Sequence, residues 1–176
     1  MKQISIACLF IAVLSRALLA QTPAHAPTPS PELKKQDFFV GTWRLEGATK
    51  SSPLGPGGQK FDSTEQLEWM PGGFFLLAHS YSHEKLVGVT IIGYSNADRI
   101  FTHTSFNSSG ETELWKGTAE EDSWTWTRDR TTAGKPAKER LTIKKTSPSS
   151  YSFVVDLQPE GGNWFTVAEG TGTREK

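Results

Sequence analysis

From Gly41 to the C-terminus, short runs of alternating apolar and polar residues are broken at regular spacing by clusters of Gly, Pro, Asn, Asp and Ser. That is the pattern of half-buried strands joined by tight turns. It predicts ten strands: Thr42–Thr49, Gln59–Met70, Phe74–Ser82, Leu86–Tyr94, Ile100–Asn107, Glu111–Thr118, Ser123–Asp129, Ala137–Thr146, Tyr151–Gln158 and Trp164–Thr173. The turns between them include Pro71-Gly72-Gly73, Ser95-Asn96-Ala97-Asp98, Ser108-Ser109-Gly110, Ala133-Gly134-Lys135-Pro136, Ser147-Pro148-Ser149 and Pro159-Glu160-Gly161-Gly162. Each holds residues that accept positive φ or preset a turn. The Ser51–Gly58 loop is longer and rich in Gly and Pro, a candidate mobile rim. No later segment keeps helical periodicity over ten residues. A meander of this kind closes on itself, since closure removes exposed edges. The expected fold is all-β: a closed antiparallel up-and-down barrel of about ten strands with a short N-terminal helix.

The chain before Gly41 follows other rules. Lys2, an apolar run from Ile4 to Leu14 and Leu18-Leu19-Ala20 read as a secretory signal over residues 1–20. The apolar run is too short to span a membrane, which also disfavours an uncleaved anchor. Ala24-His25-Ala26 has the same small-x-small form, but Pro27 follows it directly. Residues 21–30 form a proline-rich linker, and residues 31–176 the domain. Ser30-Pro31-Glu32 is a helix start, with Ser as N-cap, Pro at the first position and an acid in the first turn. One or two turns would bring Leu33, Phe38 and Phe39 under the barrel.

If each hairpin closes as its turn suggests, Trp69 faces Phe75, Leu67 faces Leu77, and Glu65 faces His79. His79 then faces Val89, Ile91 faces His103, His103 faces Trp115, and Trp115 faces Trp126. One face collects Trp43, Leu67, Trp69, Phe75, Leu77, Val89, Ile91, Trp115, Trp126, Leu141, Ile143, Phe153 and Val155, and must be the interior. The other carries Thr64, Gln66, Glu68, Thr90, Thr102, Thr104, Lys116, Thr125, Thr127, Arg140, Thr142 and Lys144. The tenth strand ends beside the start of the first, which sets Arg174 near Trp43.

Composition narrows the function. The 176 residues suffice for one domain with a real core, and Lys+Arg and Asp+Glu balance at 19 each. Removing the signal takes away two bases and no acid, so nothing resembles the basic excess of a nucleic-acid binder. The only cysteine, Cys8, falls in the signal, which leaves the mature chain without disulfide or thiol chemistry. Six tryptophans and ten phenylalanines suit pleated surfaces and pocket walls.

Gly41-Thr42-Trp43 after a short helix resembles the Gly-x-Trp signature of calycin barrels: lipocalins, fatty-acid-binding proteins and nitrobindin-like haem barrels. Asp37-Phe38-Phe39-Val40-Gly41-Thr42-Trp43, Glu68-Trp69-Met70-Pro71-Gly72-Gly73-Phe74, Ser105-Phe106-Asn107 with Gly110-Glu111, and Gly162-Asn163-Trp164 look closer still to exported bacterial lipocalin-like domains of unassigned function. The resemblance spans Glu32 to Arg174. It implies a ten-stranded barrel with room for a ligand, no reaction, and a C-terminal arginine stacked over the signature tryptophan. Arg174 is the only arginine in that final stretch. Phe38, Phe39, Gly41, Trp43 and Arg174 are therefore the expected barrel-closing residues.

The predicted interior supplies a candidate ligand site: Glu65, Leu67, Trp69, Leu77, His79, Ile91, His103, Trp115 and Trp126. A cavity histidine can bind a ligand, donate a hydrogen bond or hold haem; the plainer reading is a core histidine satisfied by Glu65. Haem is disfavoured, because Val167-Ala168-Glu169-Gly170-Thr171-Gly172-Thr173, matching the stretch that carries the haem histidine in nitrobindin-like barrels, has none. His79 and His83 would be roughly 13 Å apart on a strand, too far for one metal ion. Trp124 and Trp126 share a face and could stack sugars or simply fill the core. Asn107-Ser108-Ser109 fits a glycosylation sequon or a plain turn. Glu111, Glu113, Glu120 and Glu121 read as a solvated edge. No nucleophile elbow, phosphate loop or paired-carboxylate motif is present. The expected function is a periplasmic or secreted barrel that binds a small, largely apolar molecule without transforming it, with no metal, no nucleic acid and no membrane span after signal removal. A filled structural barrel and an enzyme using His79 and His103 are the alternatives, and oligomeric state stays open.

Overall fold

The computed structural model describes residues 27–176. The signal and most of the linker lie outside them. The ten strands are β1 (Gly41–Thr49), β2 (Lys60–Trp69), β3 (Leu76–Ser82), β4 (Lys85–Ser95), β5 (Ile100–Asn107), β6 (Thr112–Glu120), β7 (Ser123–Thr132), β8 (Lys135–Ser147), β9 (Ser150–Pro159) and β10 (Phe165–Arg174). Each pairs antiparallel with its neighbours, and β1 pairs with β10 to close the barrel. Trp43 stands opposite Arg174 in that closing ladder.

The N-terminal helix is a 3-10 helix over Pro31–Phe39, longer than the one or two turns expected. The Ser30 side chain accepts from the Glu32 N–H, as an N-cap does. The helix plugs one end of the barrel with Leu33, Gln36 and Phe39 buried. Its C-terminal end is pinned three ways. The Trp43 indole N–H donates to the Phe39 carbonyl at 2.8 Å, and the Trp69 indole N–H donates to Asp37 at 2.8 Å. The Arg174 guanidinium donates to the carbonyls of Phe38 and Val40 and lies 4.3 Å from the Trp43 ring centroid. Gly41 is required here on two counts: its φ is +119°, and a Cβ would sit 2.7 Å from Arg174 Nη1. Phe38 stacks on Trp124 at 5.5 Å, and Phe39 meets Trp124 and Tyr151 edge-on.

Two hairpins close one residue away from the expected register. Met70 N–H bonds the Phe75 carbonyl, so the loop after β2 holds Pro71 to Phe74 with Gly72 and Gly73 both at positive φ. Glu65 therefore faces Ser80, Leu67 faces Ala78, and Trp69 faces Leu76. The pairing of His79 with Val89 is as expected, but the whole β3–β4 set is turned over. The loop after β4 then slips back by one, with Arg99 in the left-handed region, and Ile92 faces His103. The two shifts cancel, which returns β5 and β6 to the predicted faces. His103 does pair with Trp115. Trp126 faces Gly117 instead of Trp115, because β6 and β7 turn at Glu121-Asp122. That two-residue shift keeps the face and lets the indole lie flat on a glycine: a Cβ at Gly117 would meet Trp126 at 2.3 Å.

Candidate functional site

Inside the barrel is a cavity of about 320 Å³. Leu45, Phe61, Leu67, Ala78, Ile92, Leu141, Ile143, Phe153 and Val155 make its walls, with Trp126 on one flank. The plug helix supplies the floor through Gln36 and Phe39. Glycines on β10 shape the opposite wall: Tyr151 lies flat against Gly172 and Phe153 against Gly170, so both rings are held back from the centre. The polar residues along the cavity are Gln36, Glu65, Thr90, His103 and Tyr151; no lysine or arginine is among its lining residues.

Each polar group is set by its surroundings. Burial raises the Glu65 carboxyl above the usual carboxylate range, and its hydrogen bond from Ser80 Oγ at 3.4 Å only partly opposes this. Burial pushes the Tyr151 phenol up, with Glu65 adding to the effect. His103 Nε2 is 2.7 Å from Ser105 Oγ, which is 2.6 Å from Thr90 Oγ1. Burial holds the His103 ring down to about 4; the Glu113 charge opposes that and the Arg128 charge adds to it. The imidazole is therefore neutral at pH 7. Gln36 is fully buried, and neither its Oε1 nor its Nε2 has a hydrogen-bond partner among the described residues.

The expected site is brought together in part. Glu65, Leu67, His103 and Trp126 line the cavity. Trp115 is buried and packs tilted against His103 at 6.0 Å, but is not part of the cavity wall. Trp69 lies at the plugged end, bonded to Asp37. Leu77, His79 and Ile91 face outward, because the β3–β4 reversal puts Ala78, Thr90 and Ile92 inside in their place. His79 does not adjoin Glu65, and the His79/His103 pair does not form. Phe75, placed inside by the expected register, is exposed and lies over Gly93. Among the described residues no cluster of three or more potential metal ligands occurs, and His83 bonds Ser82 in the turn after β3.

Sequence reasoning missed a charged network on the other flank of the interior. Glu113, expected at a solvated edge, is bridged to Arg128 at 2.6 Å and accepts from the Trp115 indole at 3.1 Å. Arg128 bonds Glu139 at 2.6 Å and lies 4.5 Å from the Trp115 ring centroid, and Arg130 reaches the same Glu139 carboxylate at 3.1 Å. The ladder between β6 and β7 ends at Lys116–Thr127, and a polar cleft of about 510 Å³ opens beyond it between Glu111–Leu114 and Arg128–Thr131. The available signal was parity: Arg128, Arg130 and Glu139 share the inward positions of Trp126 and Leu141. Gln36 carried no signal at all, since nothing in its local sequence separates it from a solvated helix residue.

Among the described residues no helix is long and apolar enough to cross a membrane. No curated protein matches the chain. Among solved structures it is similar to the crystal structure of Rv2717c from M. tuberculosis, at 14% identity over 84% of this chain and 99% of that one, with a TM-score of 0.53. A redesigned β-barrel aligns at 14% identity over 85% of this chain and 100% of its own, with a TM-score of 0.37. The first likeness is one of fold, and the second is too distant to inform even that. A family model matches residues 28–174, the helix and the entire barrel, and the chain belongs to that family, described as a protein of unknown function (DUF1579).

Proposed function

We propose that this barrel is a calycin-like carrier that holds a small, largely apolar molecule in its interior and does not transform it. The observation that carries the reading is the apolar cavity of about 320 Å³ inside the barrel, with a few polar groups on its lining. Its size falls at the lower end of the roughly 300–1,000 Å³ of ligand pockets, and its composition is theirs. The leader over residues 1–20 supports a periplasmic or secreted location. The enzyme reading loses its basis with the outward turn of His79. Haem is a poor fit to these residues, since His103 Nε2 is already engaged by Ser105 and the inward glycines of β10 are covered by Tyr151 and Phe153.

Native mass spectrometry of the protein purified from its own host tests the proposal directly, because a retained ligand adds its mass. An apolar reporter dye gives a second test. It should bind the wild type and be excluded by Ala78→Phe or Leu141→Trp, both of which fill the cavity. Dye binding that is unchanged in both folded variants would place the site elsewhere and end this reading.

A further inference from the structure

Glu65 points to the kind of molecule the cavity takes. It sits at an inward position of β2, opposite Trp43, and is the only acid among the cavity's lining residues. The residue keeps part of its surface accessible, yet burial raises its carboxyl above the usual range. Surface that is open but remote from bulk water is surface that faces the cavity. Ser80 Oγ donates to Oε1 at a long 3.4 Å. Oε2 has no hydrogen-bond partner among the described residues and, unlike the two polar atoms of Gln36, is not closed off. Glu139 holds two arginines, whereas Glu65 pairs with no cation among the described residues. An uncompensated carboxyl inside a barrel is costly, and a glutamine or leucine in its place would cost less.

The rest of the lining defines what would satisfy it. No lysine or arginine is there, and His103 is held neutral. Phe39, Phe61, Trp126, Tyr151 and Phe153 line the same space, and aromatic ring faces attract a cation. A guest carboxylate would set two acids together with no base between them. A guest ammonium brings the counter-charge that the lining lacks and donates a charge-assisted hydrogen bond to the free carboxylate oxygen. Resting on the carrier reading above, we propose that the ligand is a protonated amine with an apolar body, its ammonium seated on the Glu65 carboxylate and its hydrocarbon lying among Leu45, Leu67, Ile143 and Val155.

Displacement of an uncharged apolar dye by octylamine, 1-octanol and octanoate at pH 8, where an alkylamine is protonated, tests this. Octylamine should compete about tenfold better than octanol, as one charge-assisted hydrogen bond predicts, and better still than octanoate. In Glu65→Gln and Glu65→Leu the advantage of the amine over the alcohol should fall below about threefold, while octanol itself binds as before. Both variants should melt no lower than the wild type at this pH, because each removes a buried carboxyl that has no counter-charge. Octanol or octanoate competing as well as octylamine in the wild type would overturn the proposal, whatever the variants do. So would an amine preference that survives both substitutions, or variants that melt lower, which would mark Glu65 as a structural group. If none of the three compounds displaces the dye, the cavity itself is not the binding site and the carrier reading falls first; if octanol displaces it and octylamine does no better, the carrier stands and only the amine is lost.

Discussion

Two regions of the barrel interior obey the same strand alternation and are filled in opposite ways. Around β1, β2, β9 and β10 the inward residues are Leu45, Leu67, Phe153, Val155 and small glycines, and they surround open space. Between β6, β7 and β8, toward the end of the barrel away from the helix, the inward residues are Glu113, Arg128, Arg130 and Glu139, and they fill the space with ion pairs. The backbone explains the difference. The β6–β7 ladder stops at Lys116–Thr127, and beyond it Glu113 and Arg128 join the two strands by their side chains. Charge there closes a wall that main-chain hydrogen bonds leave open. On the hollow side the β1–β2 and β1–β10 ladders run without a break, and the side chains there shape a cavity.

The largest expected effect lies on the charged side. Glu139 is 6% exposed and holds both Arg128 and Arg130. Glu139→Leu leaves Arg128 with only Glu113, and breaking a buried pair from one side costs about 3–5 kcal/mol. Thermal denaturation should show a midpoint roughly 6–15 °C lower. Glu139→Leu with Arg128→Met should recover at least half of that, and dye binding in the cavity should be unchanged in the folded fraction. A Glu139→Leu midpoint within error of wild type would show that the network is ornamental and the wall stands without it.

His103 sits on the boundary between the two regions, and pH separates them. Its folded value of about 4 lies below the ordinary 6.5, so its neutral form stabilises the fold. That contribution is full above pH 6.5 and is lost as pH falls through 4, up to about 3 kcal/mol in all. Glu65 has the opposite sign. Its raised value makes its contribution full below pH 4.5 and lost as pH rises through the folded value. Urea midpoints measured from pH 4 to 8 should fall on the acid side in the wild type. His103→Phe should flatten that fall, and Glu65→Gln should make the neutral side more stable without touching the acid limb. An acid limb unaltered in His103→Phe would assign it to other groups.

The cavity also depends on an inward glycine of β6, on the helix side of the ion pairs. In Gly117→Ala the new methyl would stand 2.3 Å from the Trp126 ring, which lines the cavity and would have to shift. Overpacking of this kind costs about 1–3 kcal/mol. The expected result is a midpoint lower by several degrees together with weaker dye binding. The ion-pair variants lower stability alone, so the joint loss is the signature of the cavity side.

The strands and the closure were legible in the sequence because turn residues mark most boundaries, though not the β3–β4 turn at His83-Glu84, and closure follows from a meander with no spare edge. Faces were legible only where one side of a strand is polar. On β6 and β7 the alternation of Trp115, Gly117, Trp124 and Trp126 with Thr118, Thr125 and Thr127 leaves one answer. On β3 and β4 it does not. Leu76, Ala78 and Ile92 face in, while Leu77, Val89 and Ile91 face out, so both faces are apolar and the register rested on loop length alone. Pro71-Gly72-Gly73 suggested a three-residue turn, but Phe74 also enters the loop, and one residue reverses every side chain. The charged network was overlooked for a related reason, although strand parity pointed to it. Hydrophobicity places Arg128 and Glu139 outside, and only their mutual pairing makes their burial tolerable.

Arg174 offers the smallest effect and the sharpest test of how the plug is held. It stacks on Trp43 and donates to the carbonyls of Phe38 and Val40, so it caps the helix end and covers the Trp43 indole at once. A guanidinium over an indole contributes roughly 0.5–2 kcal/mol, and the position near the chain end limits the total through fraying. Arg174→Ala should therefore lose about 1–2 kcal/mol and melt a few degrees lower. Arg174→Lys should recover less than half, because an ammonium keeps the charge but not the planar stack or the fork of donors. Arg174 does not line the cavity, so the dye should bind both variants as it binds the wild type. Gly41→Ala separates the two reasons for the glycine. Its φ of +119° strains any side chain regardless of neighbours, whereas the contact at 2.7 Å exists only while Arg174 is present. In a double-mutant cycle, Gly41→Ala should cost measurably less in the Arg174→Ala background than in the wild type, with the remainder set by φ. Equal costs in the two backgrounds would mean that Arg174 swings clear of Gly41, and the plug would then hang on Trp43 and Trp69 alone.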